Sequence, residues 1–237
     1  MKIDAIIWDF DGTLVDSAQK NLNVTRKIIR EITGNPPDDL PVLRSIETYE
    51  SAIRDVQNWR ELYLNYYGLS PEQTDLAGRL WTDFQLKDET PTPLMKDVKE
   101  ALHTLDGLPQ AVFSQNSKAT IKVVLEDNDV IHCFKTIIGY EEVGFNRQKP
   151  APDGLFVCLD ELLSNKHGTV LFVGDHPVDI ACAVRANEQM LKNGRPVKVV
   201  SVGVFYGNRV ASRDWDIQPQ VKATHPFDIV NLVKGSH

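Results

Sequence analysis

The sequence predicts an α/β protein: a parallel sheet covered by helices on both faces, with a helical block inserted after the first strand. Two patterns lead there. Short apolar runs alternate with amphipathic stretches along most of the chain, whereas residues 16 to about 87 carry helical patterns only. Strands that alternate with helices pair parallel, because a parallel neighbour needs a crossover long enough to hold a helix.

The first run is Ala-Ile-Ile-Trp at 5–8, followed at once by Asp9-Phe10-Asp11-Gly12-Thr13. Its length and the abrupt glycine favour a buried strand ending in a turn. Residues 110–114, 136–138, 170–173 and 197–202 read as four more strands. Between them, residues 95–105 place Val98, Ala101, Leu102 and Leu105 on one helical face, and 120–125, 153–163 and 180–190 repeat the pattern. Within the insert, helices are expected over 17–33 (ended by Gly34), 46–56 and 58–67 (stopped by Gly68). Ser70-Pro71-Glu72-Gln73 opens another, with serine as N-cap, proline at the first helical position and glutamine placed for a capping box. Asp88-Glu89-Thr90-Pro91-Thr92-Pro93 reads as the return linker. The expected division is a core of 1–16 and 89–237 with an insert of 17–88; Gly235-Ser236-His237 is set aside as an appended tail.

With 237 residues, 42% hydrophobic and 25% charged, the chain has the profile of a globular domain with a sizeable insert. A net charge of −7 argues against non-specific binding to nucleic acid. Cys133, Cys158 and Cys182 are odd in number, scattered and without a CxxC pair. They read as reduced thiols in a cytoplasmic protein, not as a disulfide framework or a zinc site. No apolar run approaches the ~20 residues of a membrane span, and Met1-Lys2 leads straight into a strand without a secretory core region.

The chemistry concentrates at strand ends. Asp9 and Asp11 put two carboxylates together after the first strand, an arrangement that is costly unless a cation or a proton offsets it. One could attack while the other handles protons, and Gly12 permits the tight turn that keeps both at the edge. A calcium loop also contains D-x-D, but it needs glycine sixth and glutamate twelfth, where this chain has Leu14 and Lys20. Ser114, ahead of Gln115-Asn116-Ser117, suits an anionic oxygen near helix N–H groups, or is an ordinary helix cap. Lys149, in Gln148-Lys149-Pro150-Ala151-Pro152, suits a fixed counter-charge to a phosphoryl group, or is a solvated surface lysine. Asp175 and Asp179, in Gly174-Asp175-His176-Pro177-Val178-Asp179, add two carboxylates at a helix start, where dipole compensation is the plainer reading. All but Lys149 directly follow a strand, and ligands of open parallel sheets bind beyond the carboxyl ends of their strands. Acidic oxygens without cysteine or histidine spacing call for a hard cation, so Mg²⁺ is the expected metal.

Asp9-Phe10-Asp11-Gly12-Thr13, Ser114, Lys149-Pro150-Ala151-Pro152 and Gly174-Asp175 with Asp179 resemble the four motifs of the haloacid dehalogenase-like superfamily, closest to its phosphoglycolate phosphatase-like branch. One departure is that Gln115, with Asn116 next, stands where many relatives have asparagine directly after the hydroxyl. The resemblance covers essentially the whole chain. It implies a Rossmann-like sheet with the first strand central and an inserted α-helical cap. It further implies a phosphatase for a small phosphorylated metabolite, with Asp9 attacking phosphorus and Asp11 as acid and base. Ser114 and Lys149 would hold phosphoryl oxygens. Mg²⁺ would be held by Asp9, the Asp11 backbone carbonyl and Asp175, with Asp179 acting directly or through water.

Asp11 counts against dehalogenation, since the dehalogenases lack an aspartate there. A β-phosphoglucomutase-like transfer and a catalytically silent phosphate- or partner-binding module are the alternatives, and either a monomer or a dimer fits. In the insert, Arg44, Arg54 and Arg60 could bind a substrate anion, and Tyr49, Trp59, Tyr63, Tyr66 and Tyr67 could line a pocket. The plainer expectation is solvated arginines and core aromatics. His176 receives no role.

Overall fold

The first apolar run is strand β1 (Ala5–Trp8), joined by β2 (Gln110–Phe113), β3 (Thr136–Ile138), β4 (Gly168–Gly174), β5 (Val197–Val204) and β6 (Val221–Ala223). In this computed structural model, which describes residues 2–163, 167–206 and 215–235, the strands form one sheet in the order β3-β2-β1-β4-β5-β6. Every pairing is parallel. Ser236 and His237 of the tail lie outside the described residues. β1 is central as expected, with Ile6 opposite Gln110 on one side and Leu171 on the other. The winding runs from β1 out to β3 and then reverses to β4. The crevice between β1 and β4 is therefore the switch point at which open α/β sheets bind ligands.

The chain divides into two compact units, Met1–Asp16 with Pro93–His237, and Ser17–Thr92. The second contains α1 (Ala18–Thr33), α2 (Ile46–Arg54) and α3 (Pro71–Lys87). α1 stops at Gly34, whose φ of 71° is left-handed and whose N–H returns to the Arg30 carbonyl. α3 has the expected capping box: Gln73 N–H donates to Ser70 Oγ at 3.2 Å and Ser70 N–H to Gln73 Oε1 at 3.0 Å. The helix expected over 58–67 is a single turn, Trp59–Glu61, that widens into π-helix over Leu62–Tyr66. The Tyr67 N–H reaches back five residues to the Leu62 carbonyl. Leu22, Ile28, Ile29, Leu43, Tyr49, Tyr63 and Tyr67 fill this unit's core.

The sheet unit carries α4 (Val98–Thr104), α5 (Lys118–Asp127), α6 (Asp153–Leu162), α7 (Pro177–Lys192) and α8 (Pro226–Lys234). Alternation along the strands sorts the two faces. Ile6, Trp8, Val112, Leu171 and Val173 pack with α4, α5 and α8. Ala5, Ile7, Ala111, Phe113, Val170 and Phe172 pack with α6 and α7. The sequence reading missed β6 and α8. β6 is a three-residue edge strand with Lys222 exposed, too short to show a period. No helix among the described residues is long and apolar enough to cross a membrane.

Candidate active site

β1 delivers Asp9 to the switch point, where its N–H donates to the Val173 carbonyl of β4 at 2.7 Å. The chain then turns at Gly12, whose φ of 78° favours glycine. Thr13 follows, with its Oγ1 3.4 Å from Asp175 Oδ1. Asp9 is buried at 7% exposure.

β2 delivers Ser114. The helix behind it is capped by Ser117, whose Oγ accepts from the Thr120 N–H at 3.1 Å. The simple capping role considered for Ser114 therefore belongs to Ser117. Ser114 Oγ accepts from the Asn116 N–H at 3.0 Å, and Asn116 Nδ2 donates to Asp11 Oδ2 at 3.1 Å. Asn116, which sequence reasoning noticed only as a displaced neighbour, orients the second aspartate.

β4 delivers Gly174 and Asp175, and α7 begins at once. His176 is its N-cap: Nδ1 accepts from the Val178 N–H at 3.3 Å, and the His176 N–H donates to Asp179 Oδ2 at 3.2 Å. H-P-x-D at a helix start was the available signal for this box. A Cβ on residue 174 would collide with the Asp179 carboxylate, so glycine makes room for it.

Lys149, far from a solvated surface residue, is 2% exposed. Its Nζ donates to Asp9 Oδ1 at 2.6 Å and makes an ionic contact with Asp179 Oδ1 at 2.7 Å. The Phe113 and Phe172 rings stand 5.0 and 5.2 Å away as cation–π partners. Gln115 Nε2 fixes its backbone by donating to the Lys149 carbonyl at 3.0 Å. Neither phenylalanine nor Gln115 was legible as part of the site.

Asp9, Asp175 and Asp179 bring carboxylate oxygens within 4.8 Å of one another. The Asp11 side chain is outside this group, on Asn116. Burial pushes the Asp9 carboxyl well above the ordinary aspartate range; Lys149 pulls it down, and Asp179 and Asp175 push it further up. Burial disfavours the Lys149 ammonium, but Asp179 and Asp9 outweigh it and hold its pKa above the usual lysine value. Burial is the main cause at Asp9 and the neighbouring carboxylates the main cause at Lys149, so three buried or half-buried carboxylates share a single lysine. An all-oxygen donor set with surplus negative charge fits a hard divalent cation.

The residues of the insert are placed differently. Tyr49, Tyr63 and Tyr67 are core. Arg44 Nε donates to the Asp38 carbonyl at 2.8 Å, Arg60 pairs with Asp75 over the Trp59 ring, Arg54 lies 4.0 Å from Glu50, and Tyr66 donates to Asp55 at 3.1 Å.

The doubly wound α/β core and its buried aspartate at the switch point are those of a hydrolase fold. The chain belongs to the haloacid dehalogenase-like hydrolase family, whose pattern matches residues 6–192. It is 26% identical over 217 residues to a Salmonella paratyphi A phosphoglycolate phosphatase, covering 90% of this chain and 72% of that one. It is also 26% identical over 188 residues to a Caldanaerobacter subterraneus protein provisionally named pyrophosphatase PpaX, covering 77% and 78%. The fold matches the crystal structure of a HAD-superfamily hydrolase of subfamily IA from Geobacter sulfurreducens, with a TM-score of 0.63, 22% identity and coverage of 98% and 96%. This chain is an enzyme of the phosphoric monoester hydrolase class.

Proposed function

We propose that the chain is a Mg²⁺-dependent phosphatase that hydrolyses a small-molecule phosphate monoester, phosphoglycolate-like in size and charge, through an aspartyl-phosphate on Asp9. The observation that carries this reading is Asp9 itself. It is buried at the end of the central strand, held by Lys149 Nζ at 2.6 Å, and grouped with Asp175 and Asp179.

Asp9 attacks phosphorus in line and expels the alcohol, which splits one difficult displacement into two easier ones. Asp11, steadied by Asn116, gives its proton to the leaving oxygen and then takes one from the water that hydrolyses the aspartyl-phosphate. Ser114 donates its hydroxyl to a phosphoryl oxygen. Lys149 holds Asp9 in place and supplies a fixed positive charge beside the transferring group. Asp9, Asp175 and Asp179, with the Asp11 carbonyl, would hold Mg²⁺. That ion, when bound, offsets the repulsion between an anionic nucleophile and an anionic substrate. The unit of residues 17–92 contains none of these groups and is assigned the role of a cap that selects among substrates.

The test is a screen of phosphorylated metabolites for released inorganic phosphate, with Mg²⁺ and with EDTA. Phosphate release from one or a few small esters, abolished by chelation, is expected, with Ca²⁺ a poor substitute because its looser shell misplaces the attacking carboxylate. Return of phosphate to the sugar would show a mutase. No turnover of any ester would show a binding module, and full activity in chelator would overturn the metal assignment.

A further inference from the structure

At the opposite end of β2 from Ser114, three side chains of different chemistry converge. His103 stands in the last turn of α4, and His132 and Cys133 lie on the 3₁₀ turn Ile131–Cys133 that precedes β3. A donor atom from each lies within 4.8 Å of the other two. The two imidazoles stack with centroids 5.8 Å apart and planes inclined by 28°. They stand at a pocket of about 130 Å³ lined also by Leu102, Asp106 and Gln110, the first residue of β2. Spacing along the chain hides the group, because His103 is far in sequence from the His132-Cys133 pair. Only the packing of α4 beside the turn unites them.

We propose that His103, His132 and Cys133 bind a borderline-soft divalent transition metal, zinc above all, with Asp106 as the carboxylate available for a fourth position. Two imidazoles and a thiol are nitrogen and sulfur donors, which favour zinc and disfavour magnesium. Zinc–nitrogen bonds of about 2.0–2.1 Å and zinc–sulfur bonds of about 2.3 Å put tetrahedral donors roughly 3.3–3.8 Å apart. Rotating exposed side chains by about an ångström closes the present arrangement to that range. Binding breaks the Cys133 S–H bond, forms a zinc–thiolate bond and releases one proton to solvent. The chain thus has two sites of opposite hardness at opposite ends of one strand: oxygen donors at the catalytic edge, nitrogen and sulfur donors at the other.

Cobalt tests this directly, because a thiolate bound to Co²⁺ gives a near-ultraviolet charge-transfer band. Metal-stripped full-length protein titrated with Co²⁺ should show that band at one equivalent, and Zn²⁺ but not excess Mg²⁺ should displace it. Cys158 and Cys182 are buried in the sheet's other face, so the band reports Cys133. Cys133→Ser should abolish it. Cys133→Ser and His103→Ala should each weaken zinc binding at least tenfold and remove the zinc-dependent rise in Tm seen in the parent. Both replaced positions are at least partly exposed, and circular dichroism checks that the variants fold. Absence of a thiolate band, or equal zinc affinity in Cys133→Ser and the parent, would overturn the site and place any bound zinc on the carboxylates.

Discussion

Polar side chains are buried in both units, and they are buried differently. At the ends of β1 and β4 each buried charge has a counterpart: Lys149 lies between Asp9 and Asp179, and Asp179 also receives a backbone N–H. In the unit of residues 17–92 one buried carboxylate, Asp88, pairs with a half-exposed Lys27 at 2.7 Å, and the core itself buries tyrosine hydroxyls on aromatic rings. Tyr67 Oη has no hydrogen-bond partner among the described residues, and its ring meets Tyr63 edge-on at 4.9 Å. Burying a charge is so costly that it persists only with partners held in place. A buried tyrosine is retained for its ring, and the hydroxyl comes along at modest cost. Several carboxylates crowded on one buried lysine distinguish the strand ends, whereas buried tyrosine rings serve packing.

Substitutions can break that distinction. Asp9→Asn should have the largest effect, a loss of turnover of about 10⁴-fold or more with the circular dichroism spectrum unchanged, since an amide is a poor nucleophile. Residual turnover within tenfold of the parent would remove Asp9 from the role. Asp11→Asn should slow turnover by about 10²–10⁴-fold and lengthen the life of a phosphoenzyme trapped with an activated ester. Unchanged rates between pH 5 and 8 would leave Asp11 a purely structural group.

Lys149→Met removes the shared cation and strands two carboxylates. Urea denaturation without metal should show a loss of about 3–5 kcal/mol, recovered in part by Mg²⁺. A loss below 1 kcal/mol would mean the charges are not buried as a unit.

pH dependence tests the surplus of carboxylates. The folded state holds the Asp9 proton more tightly than the unfolded state does. Stability is therefore forfeited as pH rises from the ordinary aspartate range through the raised folded value. In metal-free protein, the Tm of the parent minus that of Asp9→Asn should fall with rising pH across that window. A difference that stays flat or grows would contradict the direction of the shift.

Tyr67→Phe should have the smallest effect. Deleting a buried hydroxyl without a partner should leave stability within about 1 kcal/mol of the parent or slightly above it. A loss of 2 kcal/mol or more would show that the hydroxyl is bonded in solution and that this core resembles the catalytic edge after all.

The same contrast explains what was legible in the sequence. Asp9, Asp11, Asp175 and Asp179 could be picked out because charges just after strands violate the usual pattern of burial, and Lys149 because prolines at 150 and 152 mark a fixed helix start. The arginines of the insert violate nothing: Arg44, Arg54 and Arg60 could be read either as anion binders or as solvated charges, and in the structure they meet groups of their own unit. Asn116, Gln115, Phe113 and His176 act at the site through orientation, which spacing does not encode: an amide two residues after a serine is ordinary until Asp11 folds against it. β6 escaped because three residues are too few to show alternation, and the π-turn at Leu62–Tyr66 because its wider register leaves the apolar pattern helical. His103 and the His132-Cys133 pair were invisible as a group for the simplest reason, since only tertiary packing makes them neighbours.

One backbone contact has consequences for how this chain could change over time. The Asp16 N–H donates to the Pro93 carbonyl at 2.8 Å, and Val15 bridges Leu94 beside it. The chain leaves the sheet unit and re-enters it at a gap already closed by the sheet unit's own hydrogen bonds. Whatever lies between residues 16 and 93 needs only ends that meet, and the entropy of closing a longer segment grows as the logarithm of its length, about 0.6 kcal/mol per doubling. Segments of different length and sequence can therefore be exchanged at this doorway while β1 still delivers Asp9 to the same place. Such an exchange leaves Asp9, Asp175 and Asp179 where they are.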